Sequence, residues 1–290
     1  MLVRCFCKLS RVELSYSVLG KALKHGFQLD TVMFDALIHG LCKDAKVLEA
    51  VKLVDKIRVL GYQLSAITYN SIVHGLCKDG QTNAGLEMLE KMEDLGYQPD
   101  MTSYTIVISG LCKRGHVDAA LALFQAMENS QLKPNVVLYN TLIDGFWKAG
   151  RAQEARDMFS RLSKDSCLQP DIFTYNITIG GLCRQGLVDE AYDLFRQMER
   201  GSCLPDSCSY NVIIHGFLHH KDPLEAMDLI KEMVSKGFSA DTFTMSLLIQ
   251  SLPKNQLDHP VVQKLLHDPD VRSQEMRSSG LSTVASLAAC

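Results

Sequence analysis

No apolar run in this chain approaches the roughly 18 residues a membrane helix needs, so no membrane span is expected. Neither sign of charge dominates: 30 basic side chains stand against 33 acidic ones, a formal net charge of -3. That balance excludes a uniformly basic, histone-like binder. It leaves a local basic stripe open, because net charge carries no information about distribution. There is no phosphate-binding glycine loop and no nucleophile-triad pattern. Proline occurs eight times and tryptophan once. The rest is ordinary: 47% hydrophobic and 22% charged residues exclude wholesale disorder, and 290 residues suffice for one large domain or two modest ones. The nineteen glycines, however, are placed regularly.

Gly40, Gly75, Gly110, Gly145, Gly181 and Gly216 sit in similar stretches at spacings of 35, 35, 35, 36 and 35 residues. Self-similarity at this period signals a repeat architecture. With this glycine tenth, complete repeats run 31–65, 66–100, 101–135, 136–171, 172–206 and 207–241. The fourth carries one extra residue near Ser163 to Cys167, which reads as a loop insertion. Residues 1–30 fit as a partial N-terminal repeat, 242–268 as a C-terminal half-repeat and cap, and 269–290, rich in Ser and Ala, as a flexible tail.

Each repeat holds two helical patterns. Apolar residues at positions four, seven, eight and eleven (Tyr69, Ile72, Val73 and Leu76 in the second repeat) lie on one helix face. Glycine at fifteen (Gly80, Gly115, Gly150, Gly186) is expected to end that helix. A second helix carries small residues at position twenty: Ala50, Gly85, Ala120, Ala155, Ala191 and Ala226. Pro99, Pro134, Pro170 and Pro205 are expected to break it. Such hairpins bury their apolar faces only by stacking. The pattern leaves the direction of curvature open; the expected fold class is all-α, a right-handed α-solenoid of stacked helix-turn-helix repeats.

At about 100° per residue, positions two, five, nine and thirteen share the face opposite the core. Position five reads Asp35, Asn70, Thr105, Asn140, Asn176, Asn211 and Ser246, all small and hydrogen-bonding. Helix capping is the bland alternative. Position thirteen reads Lys8, Lys43, Lys78, Lys113, Lys148, Arg184 and His219. These can complement the helix dipole and also form a basic stripe suited to a polyanion. Position two reads Val32, Ile67, Thr102, Val137, Phe173, Cys208 and Phe243, which suits either flat stackable bases or contact with the neighbouring repeat. The last position reads Asp30, Ser65, Asp100, Asn135, Asp171, Asp206 and Asp241, where an N-cap is expected. His215 and His219, four apart on one helix, and His220 invite a weak metal reading; a groove-facing or solvated role fits the register better.

Tyr69-Asn70, Gly75-Leu76-Cys77-Lys78 and Pro99-Asp100 in one register resemble the pentatricopeptide repeat family over about residues 1–252. The tetratricopeptide family differs in its Trp/Leu-Gly/Tyr pattern. The resemblance implies single-stranded RNA binding, one base per repeat, read by position five with the repeat's last residue while position two sandwiches the base. In that family Asn with Asp favours uracil and Thr with Asn favours adenine. Asn70/Asp100 then implies U, Thr105/Asn135 implies A, and Asn140/Asp171, Asn176/Asp206 and Asn211/Asp241 each imply U. The core is 5′-UAUUU-3′, preceded by the undecided base of Asp35/Ser65; Ser246 has no matched partner. Lys8, Lys43, Lys78, Lys113, Lys148 and Arg184 would contact the RNA backbone.

Some family members carry a cytidine deaminase, which needs His-x-Glu and Cys-x-x-Cys to hold zinc. Neither occurs here. No enzyme activity, cofactor or metal is expected. Five of the ten cysteines (Cys7, Cys42, Cys77, Cys112, Cys183) fall at position twelve and read as reduced packing residues in an intracellular compartment. The expected protein is a monomer acting on organellar transcripts by stabilisation, processing or translation control, in mitochondria or alternatively chloroplasts, with protein partners supplying any catalysis. Met1 already falls inside a repeat, so either the targeting leader is absent or the chain is a truncated gene model. An exposed apolar face is then expected on the first half-repeat. The alternatives are a tetratricopeptide-like protein-interaction scaffold and a truncated non-functional fragment.

Overall fold

The computed structural model describes residues 5–7, 9, 11–26, 30–201, 203–220 and 222–251. Expectations for Lys8, for residues 252–268 and for the tail at 269–290 lie outside the described residues. Among the described residues every regular element is an α-helix. Helix α1 (Val12–Lys24) precedes six hairpins. Their first helices are α2 (Thr31–Lys43), α4 (Ala66–Lys78), α6 (Met101–Lys113), α8 (Val136–Lys148), α10 (Ile172–Arg184) and α12 (Ser207–His219). Their second helices are α3 (Val47–Val59), α5 (Thr82–Asp94), α7 (Val117–Asn129), α9 (Ala152–Ser163), α11 (Val188–Arg200) and α13 (Pro223–Ser235), and α14 (Thr242–Ser251) follows. Each first helix starts at position one of its repeat. The chain divides into two compact bodies, Met1–Gly145 and Phe146–Cys290. The boundary falls within α8.

In the first body α2, α4 and α6 pack side by side in chain order, each also against the second helix of its own repeat. In the second body α10, α12 and α14 pack side by side in chain order, and α10 and α12 also pack against the second helices of their own repeats. The apolar stripe explains this order: Phe34, Leu37, Ile38 and Leu41, then Tyr69, Ile72, Val73 and Leu76, are buried. A single hairpin has no second surface to cover them, so the next repeat does.

The tenth-position glycine is set by that stacking. A Cβ on Gly110 would stand 2.9 Å from Cys77 Cβ, and one on Gly145 2.7 Å from Cys112 Sγ. The cysteine of one repeat thus seats on the glycine of the next, and Trp147 takes that place against Gly181. Burial pushes the thiol of Cys42 up to about 12 and that of Cys77 up to about 11, so both stay protonated. They are free cysteines. Their role is volume, as for a small hydrophobe.

The turn after each first helix uses a left-handed residue at position fifteen. Gly80 has φ of 82°, and the following Gln81 N–H closes onto Leu76 O at 2.8 Å. The first repeat has Ala45 in the same place at φ of 58°. Sequence reasoning assigns the end of the second helices to proline, and the structure corrects it. Helix α5 stops at Asp94, and Gly96 (φ 80°) turns the chain before Pro99 is reached. Gly61, Gln131 and Gly237 make the same turn in other repeats. Proline lies in the extended linker beyond a stop already made. The extra residue of the fourth repeat falls in the loop after α9, where Asp165 Oδ1 accepts from Cys167 N at 2.7 Å.

Second helices are tied to one another by charge. Lys91 meets Asp55 at 3.2 Å in the first body, and Arg156 meets Glu190 at 2.6 Å in the second. Arg196 lies 2.7 Å from Glu232, which also accepts from Tyr210 Oη at 2.8 Å. The bond from Arg196 outweighs burial and holds the Glu232 carboxyl down at about 2. No helix among the described residues is long and apolar enough to cross a membrane.

Candidate nucleic-acid interface

A first helix begins straight out of an extended linker, so its leading N–H groups have no carbonyl four residues back. The last residue of the preceding repeat meets them. Asp30 Oδ1 accepts from Met33 N at 2.8 Å, Asp100 Oδ1 from Ser103 N at 2.9 Å, and Asn135 Oδ1 from Leu138 N at 2.9 Å. In the second body Asp171, Asp206 and Asp241 cap Thr174, Ser209 and Thr244 at 2.8, 2.8 and 2.7 Å. Ser65 accepts from Thr68 N at 3.3 Å. Capping therefore belongs to the last position of the repeat, and position five is released from it.

The caps end on position three of the next repeat, where Thr68, Ser103, Thr174, Ser209 and Thr244 are fully buried. Three of these hydroxyls also reach the position-five side chain of the repeat before. Ser103 Oγ donates to Asn70 Oδ1 at 2.6 Å, Thr244 Oγ1 to Asn211 Oδ1 at 2.8 Å, and Thr68 Oγ1 to Asp35 Oδ1. Position five also meets the last residue of its own repeat. Asn70 Nδ2 donates to Asp100 Oδ1 at 3.3 Å, Ser65 Oγ to Asp35 Oδ1 at 3.0 Å, and the Asp241 N–H to Asn211 Oδ1 at 3.4 Å. Burial alone would raise the Asp100 carboxyl, but bonds from Ser103 and Asn70 hold it below its ordinary value.

The remaining position-five residues differ. Thr105 Oγ1 donates to Met101 O at 2.7 Å and Ser246 Oγ to Thr242 O at 2.8 Å, so each hydroxyl proton is spent on its own helix and the oxygen keeps acceptor capacity. Asn140 is buried in the first body. Asn176 Oδ1 is buried without a hydrogen-bond partner. Asn176 borders a cavity of about 430 Å³ that is also lined by Gly180, Arg184, His215, His219 and His220. Gly180, at position nine, leaves that space open.

Position two stands in solvent. Val32, Ile67, Val137, Phe173 and Phe243 are between 56% and 71% exposed, and Thr102 and Cys208 are exposed too. Phe243 also stands edge-on to the His215 ring of the preceding repeat, with centroids 5.0 Å apart. Position thirteen is the last residue of each first helix, and Lys43, Lys78, Lys113, Lys148, Arg184 and His219 are all exposed there. They complement the helix dipole and face solvent as cations at once. Burial first, then Lys78, Lys113 and His39, push His74 below its ordinary value, the sign of a crowded positive face in the first body. His215 Nε2 lies 2.6 Å from Thr244 Oγ1, and His220 Nε2 lies 2.8 Å from Cys183 O, so both rings are engaged in hydrogen bonds. No cluster of metal-binding side chains occurs among the described residues.

The expected candidate residues thus sort into exposed apolar side chains, half-buried polar pairs and exposed cations. Sequence reasoning singles out His215 at position nine but misses the hydroxyl at position three and the position-nine histidines His39 and His74. The column of Thr68, Ser103, Thr174, Ser209 and Thr244 is itself the missed signal, since five hydroxyls recur where core would be expected.

Comparison with known proteins adds an independent line. A model described as the PPR repeat family matches residues 29–78, 64–113, 103–137, 134–184, 170–219 and 205–254. A pentatricopeptide repeat-containing protein of Arabidopsis thaliana is 38% identical over 65 residues, covering 21% of this chain and 9% of that protein. The crystal structure of PPR10 from maize is similar at a TM-score of 0.68 and 26% identity, over 92% of this chain and 38% of that one. PPR10 in complex with an 18-nt psaJ RNA element is similar in fold at a TM-score of 0.55 and 22% identity, over 86% and 41% of the two chains. The chain spans well under half the length of these relatives.

Proposed function

The chain belongs to the PPR repeat family, and on that premise we propose that it is a sequence-specific single-stranded RNA-binding protein acting on organellar transcripts, one base per repeat. It is a binding scaffold and not an enzyme. The observation that carries the reading is the pairing of Asn70 with Asp100 between the exposed side chains of Ile67 and Thr102. With its Oδ1 taken by Ser103, Asn70 keeps an N–H donor, and Asp100 keeps carboxylate acceptor capacity. Uracil offers the complement, a carbonyl acceptor beside an imino donor. Ile67 and Thr102 would close on the two faces of the base, as flat π-surfaces allow.

The same reasoning applies at Thr105/Asn135. A threonine whose proton is spent on Met101 O presents an acceptor, which suits the amino group of adenine. Asn140/Asp171, Asn176/Asp206 and Asn211/Asp241 repeat the uracil pairing in composition. The proposed core is 5′-UAUUU-3′, preceded by the base of the Asp35/Ser65 repeat. Lys43, Lys78, Lys113, Lys148 and Arg184 would follow the phosphates. The setting is a mitochondrion, with a chloroplast as the alternative, and the outcome for the transcript is stabilisation, processing or translation control, with protein partners supplying any catalysis.

Filter binding over a salt series tests this. UAUUU-containing RNA should be retained more tightly than a scrambled RNA, with affinity falling steeply as salt rises. Equal, salt-insensitive retention of both would overturn it in favour of a peptide-binding scaffold. Exchanging Thr105→Asn with Asn135→Asp should turn the second preference from A towards U.

A further inference from the structure

We propose that the hydroxyl at position three of the following repeat is a specificity-determining residue for RNA, because it fixes which way the position-five amide faces. This rests on the base-reading proposal above and adds a third residue to reading pairs that contain asparagine. Ser103 is the clearest case. It touches Asn70 across 33 residues of chain while closing the capping box with Asp100.

An ionised Asp100 can only accept, so the side of the Asn70 amide that faces it must be Nδ2. The other side, Oδ1, then needs a donor, and the Ser103 hydroxyl supplies it at 2.6 Å. Turning the amide over would set its oxygen against a carboxylate. Ser103 is fully buried, so no water replaces the bond when it is removed. Asn211 repeats the arrangement with Thr244, and there His215 Nε2 lies within 2.6 Å of the same hydroxyl. The chain of bonds then runs from His215 through Thr244 to Asn211.

Among the pairs that lie within one body, two depart from the pattern. Thr105 faces a repeat whose position three is Leu138, fully buried and with no hydroxyl, and Thr105 turns back to Met101 O instead. Where a threonine reads, no amide needs orienting, and the hydroxyl is missing. Asn176 is followed by Ser209, which approaches Asp206 at 2.9 Å much as Ser103 approaches Asp100 at 3.0 Å, yet Asn176 Oδ1 is unpaired beside the cavity. Asn176 thus has an oxygen that bound RNA can turn onto Ser209.

The experiment measures the affinity of the full chain for four RNAs that differ only in the first base of UAUUU. The wild type should prefer U there. Ser103→Ala should reduce the U-over-C ratio by about tenfold, the scale of one lost hydrogen bond. It should leave ratios at the other bases unchanged, and Ser103→Thr should restore the wild-type ratio. A merely structural loss would weaken all four RNAs equally. In the reverse direction, with four RNAs that differ only in the second base, adding Leu138→Thr to the Thr105→Asn, Asn135→Asp protein should sharpen its U preference there. That arm keeps the test decisive if Ser103→Ala does not fold. A discriminating wild type whose ratio survives Ser103→Ala, or a triple variant no sharper than the double, overturns the position-three role. A wild type with no preference at that base overturns the base-reading proposal itself.

Discussion

An ideal Cβ added to Gly110 would meet Cys77 Cβ at 2.9 Å, closer than real side chains approach, whereas one added to Gly20 meets nothing within 4 Å. Both glycines are helical. The same substitution should therefore act in opposite directions. Gly110→Ala forces apart two stacked helices and should lower stability by about 1–3 kcal/mol. Gly20→Ala adds helix propensity at an open position and should raise it by about 0.5–1 kcal/mol. Urea unfolding of the two variants beside the wild type reads both signs, and equal effects would contradict the packing account.

Ala45 occupies a left-handed conformation that glycine holds in later repeats. A Cβ in that region costs about 1 kcal/mol. Ala45→Gly should therefore raise stability by roughly that amount, offset slightly by the greater freedom of glycine in the unfolded chain. A thermal melt showing a lower midpoint would mean the turn is relaxed as it stands.

Lys78 ends its helix and faces solvent. Lys78→Gln should weaken binding of every RNA by a similar factor. The slope of log affinity against log salt should fall by about 0.7, the single-strand value for one phosphate contact. Loss confined to one sequence would assign Lys78 to base reading instead.

Glu232 is held near 2 by its bond from Arg196, against an ordinary value of 4.5. A depressed carboxyl stabilises the fold above its unfolded value, and that contribution is lost as pH falls through the folded value. Stability should accordingly drop between about pH 4.5 and 2. Glu232→Gln should flatten that limb and leave a protein less stable at pH 7. An unchanged acid limb in the variant would assign the acid sensitivity to other groups.

Most of the fold was legible because each column is sampled six or seven times along the chain. One Tyr69 says little; an aromatic or apolar residue at position four in every repeat says that a helix face recurs. The exposure of Ile67 and Phe173 was not legible, since an apolar side chain on a polar face reads equally as contact or as ligand surface. Proline drew the helix stop to itself because Pro99, Pro134, Pro170 and Pro205 form a visible column. The left-handed turns at Gly61, Gly96, Gln131 and Gly237 do the work with a column broken by glutamine. The partnership of Ser103 with Asn70 is a contact between repeats, and a column of single positions does not disclose which columns touch.

Because Ser103 lies on the far side of a repeat border from Asn70 and Asp100, the block that recurs in the chain and the block that recognises a nucleotide are out of phase by three residues. Exchanging whole 35-residue cassettes separates a recognition set from its own hydroxyl and hands it a stranger's. Engineered arrays spliced after position three would carry each set intact.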